Sequence, residues 1–240
     1  MSDLLIIGHR GAPAAAPENT LPSFLLAAQT GAQMVELDVH LSKDGKVVVI
    51  HDEMLNRTTS GTGPVMARTL ASLKRLDAGT AFSPQFAGTK IPSLEEVFTS
   101  LPRRIGLNIE LKTNIVNYPG LEAKVLSIVN RHRAQQRVIV SSFNWSSLNT
   151  LHRLEPQLRL GLLFNRLQPD LWAQASLLNA FSLHPALACT SSQLIWQSHS
   201  WGYRVFPWVV NNPAQVVELK TAGVDGVITD CPQAILQAME

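Results

Sequence analysis

Residues 4–50 read LLIIGHRGAPAAAPENTLPSFLLAAQTGAQMVELDVHLSKDGKVVVI. Leu4–Gly8 is a short apolar run of strand type, and Thr20 before Leu21-Pro22 opens a helix over Leu21–Gln29 that Gly31 stops. Met34–Asp38 is a second strand, so the stretch begins as a strand–helix–strand unit with both strands parallel. Val47–Ile50 breaks the rhythm, because only Ser42-Lys43-Asp44-Gly45 separates it from the run ending at Leu41. No crossover helix fits there, and the two runs are expected to pair antiparallel as a hairpin arm. A turn centred near Asp44 sets Asp38 opposite Ile50 and Glu36 opposite Asp52, to within a residue, with His51 beside the Glu36/Asp38 pair.

Outward from this unit the same alternation continues. Ile105–Leu111, Val138–Phe143, Leu158–Phe164, Ala180–Leu183, Arg204–Val210 and Val224–Thr229 are further buried-type strands, separated by amphipathic helical runs. Eight strand–helix units predict an α/β fold, a (β/α)8 TIM barrel. The hairpin arm and the Ser/Thr/Gly/Pro-rich segment 54–92 are the excess, the latter an insertion over one barrel mouth. With 240 residues the expectation is one catalytic domain over 1–240, since single α/β barrels reach about 250 residues.

Only 16% of residues are charged, and 20 Lys+Arg against 18 Asp+Glu leave a near-neutral balance. Nucleic-acid partners and stable membrane association driven by charge are excluded on that basis. Cys189 and Cys231 form no Cys-x-x-Cys motif and read as buried thiols. Asp3 precedes an apolar stretch too short for a leader, and no run approaches a membrane span, so a cytoplasmic protein is expected. Nothing in the sequence fixes the oligomeric state.

In such barrels the chemistry gathers where strands end. His9-Arg10 ends the first strand, Glu36-x-Asp38 the second, His51-Asp52 the hairpin and Glu110-x-Lys112 the third barrel strand, while Trp208 lies in the seventh. Strand alternation turns Glu36 with Asp38, and Glu110 with Lys112, to common faces. Three converging carboxylates need compensation. Core ion pairs with Arg10 and Lys112 would supply it, as would a hard divalent cation, Mg²⁺ first and Ca²⁺ second, held by Glu36, Asp38 and Glu110. His9 and His51 are the acid–base pair, and Arg10 and Lys112 suit a phosphate. Trp208 contacts substrate or fills the barrel. His40 either supports the site or faces solvent, His184 lines the mouth or belongs to a loop with Pro185, and His132, His152 and His199 are surface residues on helices.

The same residues carry a resemblance. Gly8-His9-Arg10-Gly11, Pro17-Glu18-Asn19-Thr20, Glu36-x-Asp38-Val39, Lys43-Asp44-Gly45, His51-Asp52 and Asn56-Arg57-Thr58-Thr59 follow one another in order. Ile91–Glu96, Asn108–Lys112, Ser141-Ser142-Phe143, Trp208-x-x-Asn211 and Gly226–Asp230 complete the set. Together they resemble the glycerophosphodiester phosphodiesterases of the compact cytoplasmic bacterial type, over nearly the whole chain. Two departures are Gly8, where alanine is common, and Val209, where threonine usually follows the tryptophan. The resemblance implies hydrolysis of a small-molecule glycerophosphodiester to sn-glycerol 3-phosphate and an alcohol with a divalent cation. It places metal ligands at Glu36, Asp38 and Glu110, acid–base histidines at His9 and His51, and phosphate-binding residues at Arg10 and Lys112. A lysophospholipase D-type activity on the same barrel, or a non-catalytic binding barrel, are the alternative readings.

Overall fold

The computed structural model describes residues 4–239; Asp3 lies outside the described residues. Eight parallel strands form the barrel wall: β1 (Leu5–Gly8), β2 (Met34–Leu41), β4 (Gly106–Leu111), β5 (Val138–Ser142), β6 (Arg159–Phe164), β7 (Ser182–Pro185), β8 (Arg204–Val205) and β9 (Gly226–Thr229). They run β8-β7-β6-β5-β4-β2-β1-β9 around the sheet. The ring is closed by backbone bonds from Asp225 N to Val205 O (3.2 Å), Ile228 N to Pro207 O (2.9 Å) and Val210 N to Ile228 O (2.9 Å). The expected barrel is present.

The extra strand, β3 (Val47–Val49), pairs antiparallel with β2. Val39 faces Val49 and Leu41 faces Val47, and Ile50 N donates to Asp38 O at 3.1 Å, which is the register the turn arithmetic gives.

Helices cover the wall: α1 (Leu21–Gln29), α3 (Leu94–Ser100), α4 (Leu121–Arg131), α5 (Trp145–Leu154), α6 (Leu171–Leu177), α7 (Ser192–Ser200), α8 (Pro213–Ala222) and α9 (Pro232–Met239), while α2 (Leu70–Leu73) belongs to the 54–92 insertion. Apolar side chains fill two compartments, a large one between strands and helices and a small one inside the barrel, built from Ile7, Met34, Ile139, Phe206 and Ile228. The 54–92 insertion buries Leu55, Val65, Leu73 and Ile91 against Val48 and Ile50 of the hairpin. Among the described residues, no helix is long and apolar enough to cross a membrane.

Three sequence readings need correction. The seventh barrel strand keeps its ladder over only Arg204–Val205, and Trp208 makes an isolated bridge to Ala186. Pro207 has no N–H to continue the ladder. His184 does not line the mouth: it lies within β7 at 0% exposure, and its Nε2 bonds Ser182 Oγ at 2.7 Å. Gly161 makes the room, since a Cβ there would come within 2.6 Å of His184 Nε2. Burial without a countercharge pushes the His184 imidazole down to about 3. Cys189 and Cys231 are half-buried rather than buried, Cys189 in a short turn after β7 with Sγ against Asn165 O.

Candidate active site

Each site residue enters from a strand end, and local chain geometry fixes its aim. After β1 the chain turns through Arg10 at φ 52° and Gly11 at φ 94°. A Cβ on Gly8 would meet Gly11 O at 2.2 Å, so this turn closes onto bare backbone. The tight turn lets Arg10 N donate to Glu36 Oε2 on the neighbouring strand at 2.9 Å.

Glu36 and Asp38 on β2 and Glu110 on β4 point into one space, each offering an oxygen within 4.8 Å of the other two. All three are buried. Burial would raise Asp38, but Lys112 and Arg10 (each 3.5 Å away), His51, and Asn19 Nδ2 (2.8 Å) hold it down at about 2. Glu110 goes the other way, to about 7, through burial and the Asp38 charge, despite the Lys112 ammonium at 2.9 Å. Burial, then Asp38 and Glu110, raise Glu36 well above the carboxylate range. One acid is ionised and its two neighbours resist ionisation, so the space is short of positive charge.

A divalent cation fits that deficit. The donors are all oxygens, and Glu36 Oε1 is buried with no hydrogen-bond partner among the described residues. The ion pairs weighed as the other reading are also present, because Arg10 and Lys112 both reach Asp38. They leave Glu36 Oε1 unserved.

The histidines have matching supports. His9 Nδ1 lies 2.6 Å from Asp230 Oδ1, and Asn211 Nδ2 bonds the other carboxylate oxygen at 2.7 Å. Burial would raise Asp230, but these two partners lower it. His51 Nδ1 lies 2.6 Å from Asp52 Oδ1. A carboxylate can only accept, so in both rings Nδ1 carries the proton and Nε2 is left for chemistry. His51 Nε2 takes a bond from Lys112 Nζ at 3.2 Å, and burial, with Lys112 and Arg10 beyond it, lowers its pKa against the pull of Asp38.

A second layer of charges braces these groups. Arg57, from the insertion, reaches Asp52 through Nε (2.7 Å) and Glu18 through Nη1 and Nη2 (2.7 and 2.8 Å). Glu18 in turn accepts from Arg10 Nη1 at 2.8 Å. His40 is buried at 2% exposure, which settles its two readings: Nδ1 meets Tyr118 OH at 2.8 Å and Nε2 donates to His51 O at 2.9 Å.

His9, Arg10, Glu36, His51, Glu110, Lys112 and Trp208 all border one cavity of about 60 Å³, and the buried Asp38 pairs with Arg10 and Lys112 of its lining. Trp208 is half-buried, its Nε1 bonded to His184 O at 2.9 Å and its ring edge-on to Phe143 at 5.5 Å. Phe143 also walls a larger open depression of about 520 Å³ flanked by Asn144, Asn149 and Asp170. Sequence reading gave no role to Asp52, Asp230, Asn211, Glu18, Asn19 or Arg57. Each sits within a quoted motif, which is the signal that marked them.

Comparison with known proteins agrees. The sequence profile of the Glycerophosphoryl diester phosphodiesterase family matches residues 9–234. A glycerophosphodiester phosphodiesterase of Caldanaerobacter subterraneus subsp. tengcongensis is 42% identical, over 97% of this chain and 96% of its own. One from Bacillus altitudinis is 38% identical over 98% of both. An Oleispira antarctica phosphodiesterase, solved in complex with the product sn-glycerol-3-phosphate, superposes with a TM-score of 0.91 at 34% identity, covering 98% of this chain and 96% of that one.

Proposed function

The chain belongs to the glycerophosphoryl diester phosphodiesterase family and is a phosphoric diester hydrolase, and we propose that it cleaves glycerophosphodiesters to sn-glycerol 3-phosphate and an alcohol, using a divalent cation and the His9/His51 pair. The observation that carries this is the twin arrangement of two imidazoles, each held through Nδ1 by a carboxylate at 2.6 Å, on one cavity with the acidic group. The product seen with the Oleispira antarctica relative supports the same substrate class.

Glu36, Asp38 and Glu110 would hold the cation, Mg²⁺ by preference, with Ca²⁺ admitted by the same donors. Bound there, it would supply Lewis acidity to the phosphodiester. Arg10 and Lys112 border the same cavity and neutralise the non-bridging oxygens. One imidazole takes the proton of the attacking oxygen as its bond to phosphorus forms: water gives sn-glycerol 3-phosphate directly, whereas the glycerol 2-hydroxyl gives a cyclic phosphate that a water then opens. The other protonates the departing alkoxide as its P–O bond breaks. Asp230 and Asp52 fix each ring's tautomer, so both present Nε2. Trp208 forms a wall of the substrate site. The polar depression beyond Phe143 suits a hydrophilic alcohol better than an acyl chain. Two free thiols, Cys189 and Cys231, are in keeping with a cytoplasmic enzyme.

The test is release of sn-glycerol 3-phosphate from glycerophosphocholine, with and without EDTA, beside lysophosphatidylcholine. EDTA-sensitive release from the first and little turnover of the second is expected. EDTA-resistant release overturns the cation assignment, and preference for the lysolipid overturns the substrate assignment.

A further inference from the structure

One side chain on the floor of the site has no part in the mechanism above. Asn108 lies on β4 two residues before Glu110, on the same face, and its partner across to β2 is Glu36. It is 1% exposed, and among the described residues neither its Oδ1 nor its Nδ2 has a hydrogen-bond partner. A carboxamide buried with both ends unserved is costly unless something else binds it. Its polar neighbours inside the barrel do not supply that. Ser182 Oγ and His184 Nε2 pair at 2.7 Å, and the unpartnered Ser141 Oγ and His184 Nδ1 belong to residues that do not border the cavity. Asn108 does border it, and so does Glu36, whose Oε1 is also buried and unpartnered. Two orphaned groups on adjacent strands thus face one small space.

We propose that Asn108 is the uncharged fourth ligand residue of the cation site, with Oδ1 toward the cation and Nδ2 toward a Glu36 carboxylate oxygen. A carboxamide oxygen is a hard donor of the kind Mg²⁺ and Ca²⁺ accept. It adds a ligand without adding negative charge to the three carboxylates. The inference rests on the cation reading above and extends it to a residue outside the acidic group.

Calorimetric titration of Mg²⁺ into EDTA-treated, dialysed protein at pH 8, with thermal melts in both states, tests it. Asn108→Leu removes both polar ends at similar volume. Its cation-free melting temperature is expected at or above wild type, because an unserved amide has been replaced by an apolar group. Its Mg²⁺ affinity is expected to fall about tenfold or more, with a smaller Mg²⁺-induced rise in melting temperature. Asn108→Asp keeps the oxygen and is expected to bind Mg²⁺ at least as tightly as wild type. Wild-type affinity in the leucine variant overturns the proposal, as does loss of binding in the aspartate variant, which decides the matter alone if the leucine variant does not fold. Wild-type protein that binds neither Mg²⁺ nor Ca²⁺ overturns the cation reading itself, and this inference with it.

Discussion

His9 and Asp230 are 221 residues apart in the chain and 2.6 Å apart in the barrel. The contact exists because β1 pairs with β9, carrying Gly8 beside Thr229 so that the next residue on each strand projects at the same rim. Asp230→Asn keeps the size of the side chain and removes the charge that holds the His9 tautomer. It is expected to lower kcat about 10²–10³-fold with little change in KM or melting temperature. Steady-state kinetics and a melt check this, and an unchanged kcat would remove Asp230 from the catalytic set.

His9→Ala and His51→Ala should each cost about 10²–10⁴-fold in turnover while circular dichroism stays native. A substrate with a p-nitrophenol leaving group separates their roles, since it needs no general acid: one variant recovers on it and the other does not. Near-native turnover by either variant on glycerophosphocholine refutes the acid–base pair.

Arg57 ties Asp52 and Glu18 together, and through them His51 and Arg10. Arg57→Leu is expected to lower kcat/KM about tenfold, a loss typical of residues that orient catalytic groups. Arg57→Lys should recover little of it, because a point charge cannot reproduce the forked contact to two carboxylates. Full recovery by lysine would show that only the charge matters.

Proton and cation compete at the acidic group. Burial and the Asp38 charge raise Glu110 to about 7 and raise Glu36 as well, each from an ordinary glutamate value of about 4.5. Carboxyls with raised folded-state pKa values destabilise the cation-free fold as pH climbs from about 4.5 through 7, and a bound cation cancels that loss. The Mg²⁺-induced rise in melting temperature should therefore be larger at pH 8 than at pH 5.5, and Mg²⁺ affinity should increase across pH 7. Equal shifts at the two pH values would contradict the raised carboxyls.

Alanine is common at position 8 in the family, but on this chain's backbone Gly8→Ala places a methyl group 2.2 Å from Gly11 O, so the His9–Arg10 turn must move. A destabilisation of about 1–3 kcal/mol is expected in urea unfolding, with a fall in activity beyond what the remaining folded fraction explains. A variant as stable and active as wild type would show that this turn adjusts freely.

Much of this was legible in the sequence because it depends on short-range order. The hairpin register followed from counting across Asp44-Gly45, and the facing of Glu36 with Asp38 from strand alternation. The truncated seventh strand was not, since β-type residues on both sides of Pro207 mask its missing N–H. His184 was misplaced because Gly161, which makes room for its ring, is 23 positions away on another strand. The supports of the histidines were unreadable for a similar reason. Asp230 meets His9 only after the barrel closes, and Arg57 meets Glu18 only after the insertion folds back over β3.

The strand Met34–Leu41 supplies Glu36, Asp38 and His40, and its outer edge fixes the return strand that delivers His51. Two of the three proposed cation ligands, an imidazole and its support are therefore set by one strand and its hairpin partner. A slip of one residue would turn all three inward side chains outward and displace the histidine with them. Damage to this enzyme along that strand should be all-or-none, and gradual tuning of activity must come from the loops around it.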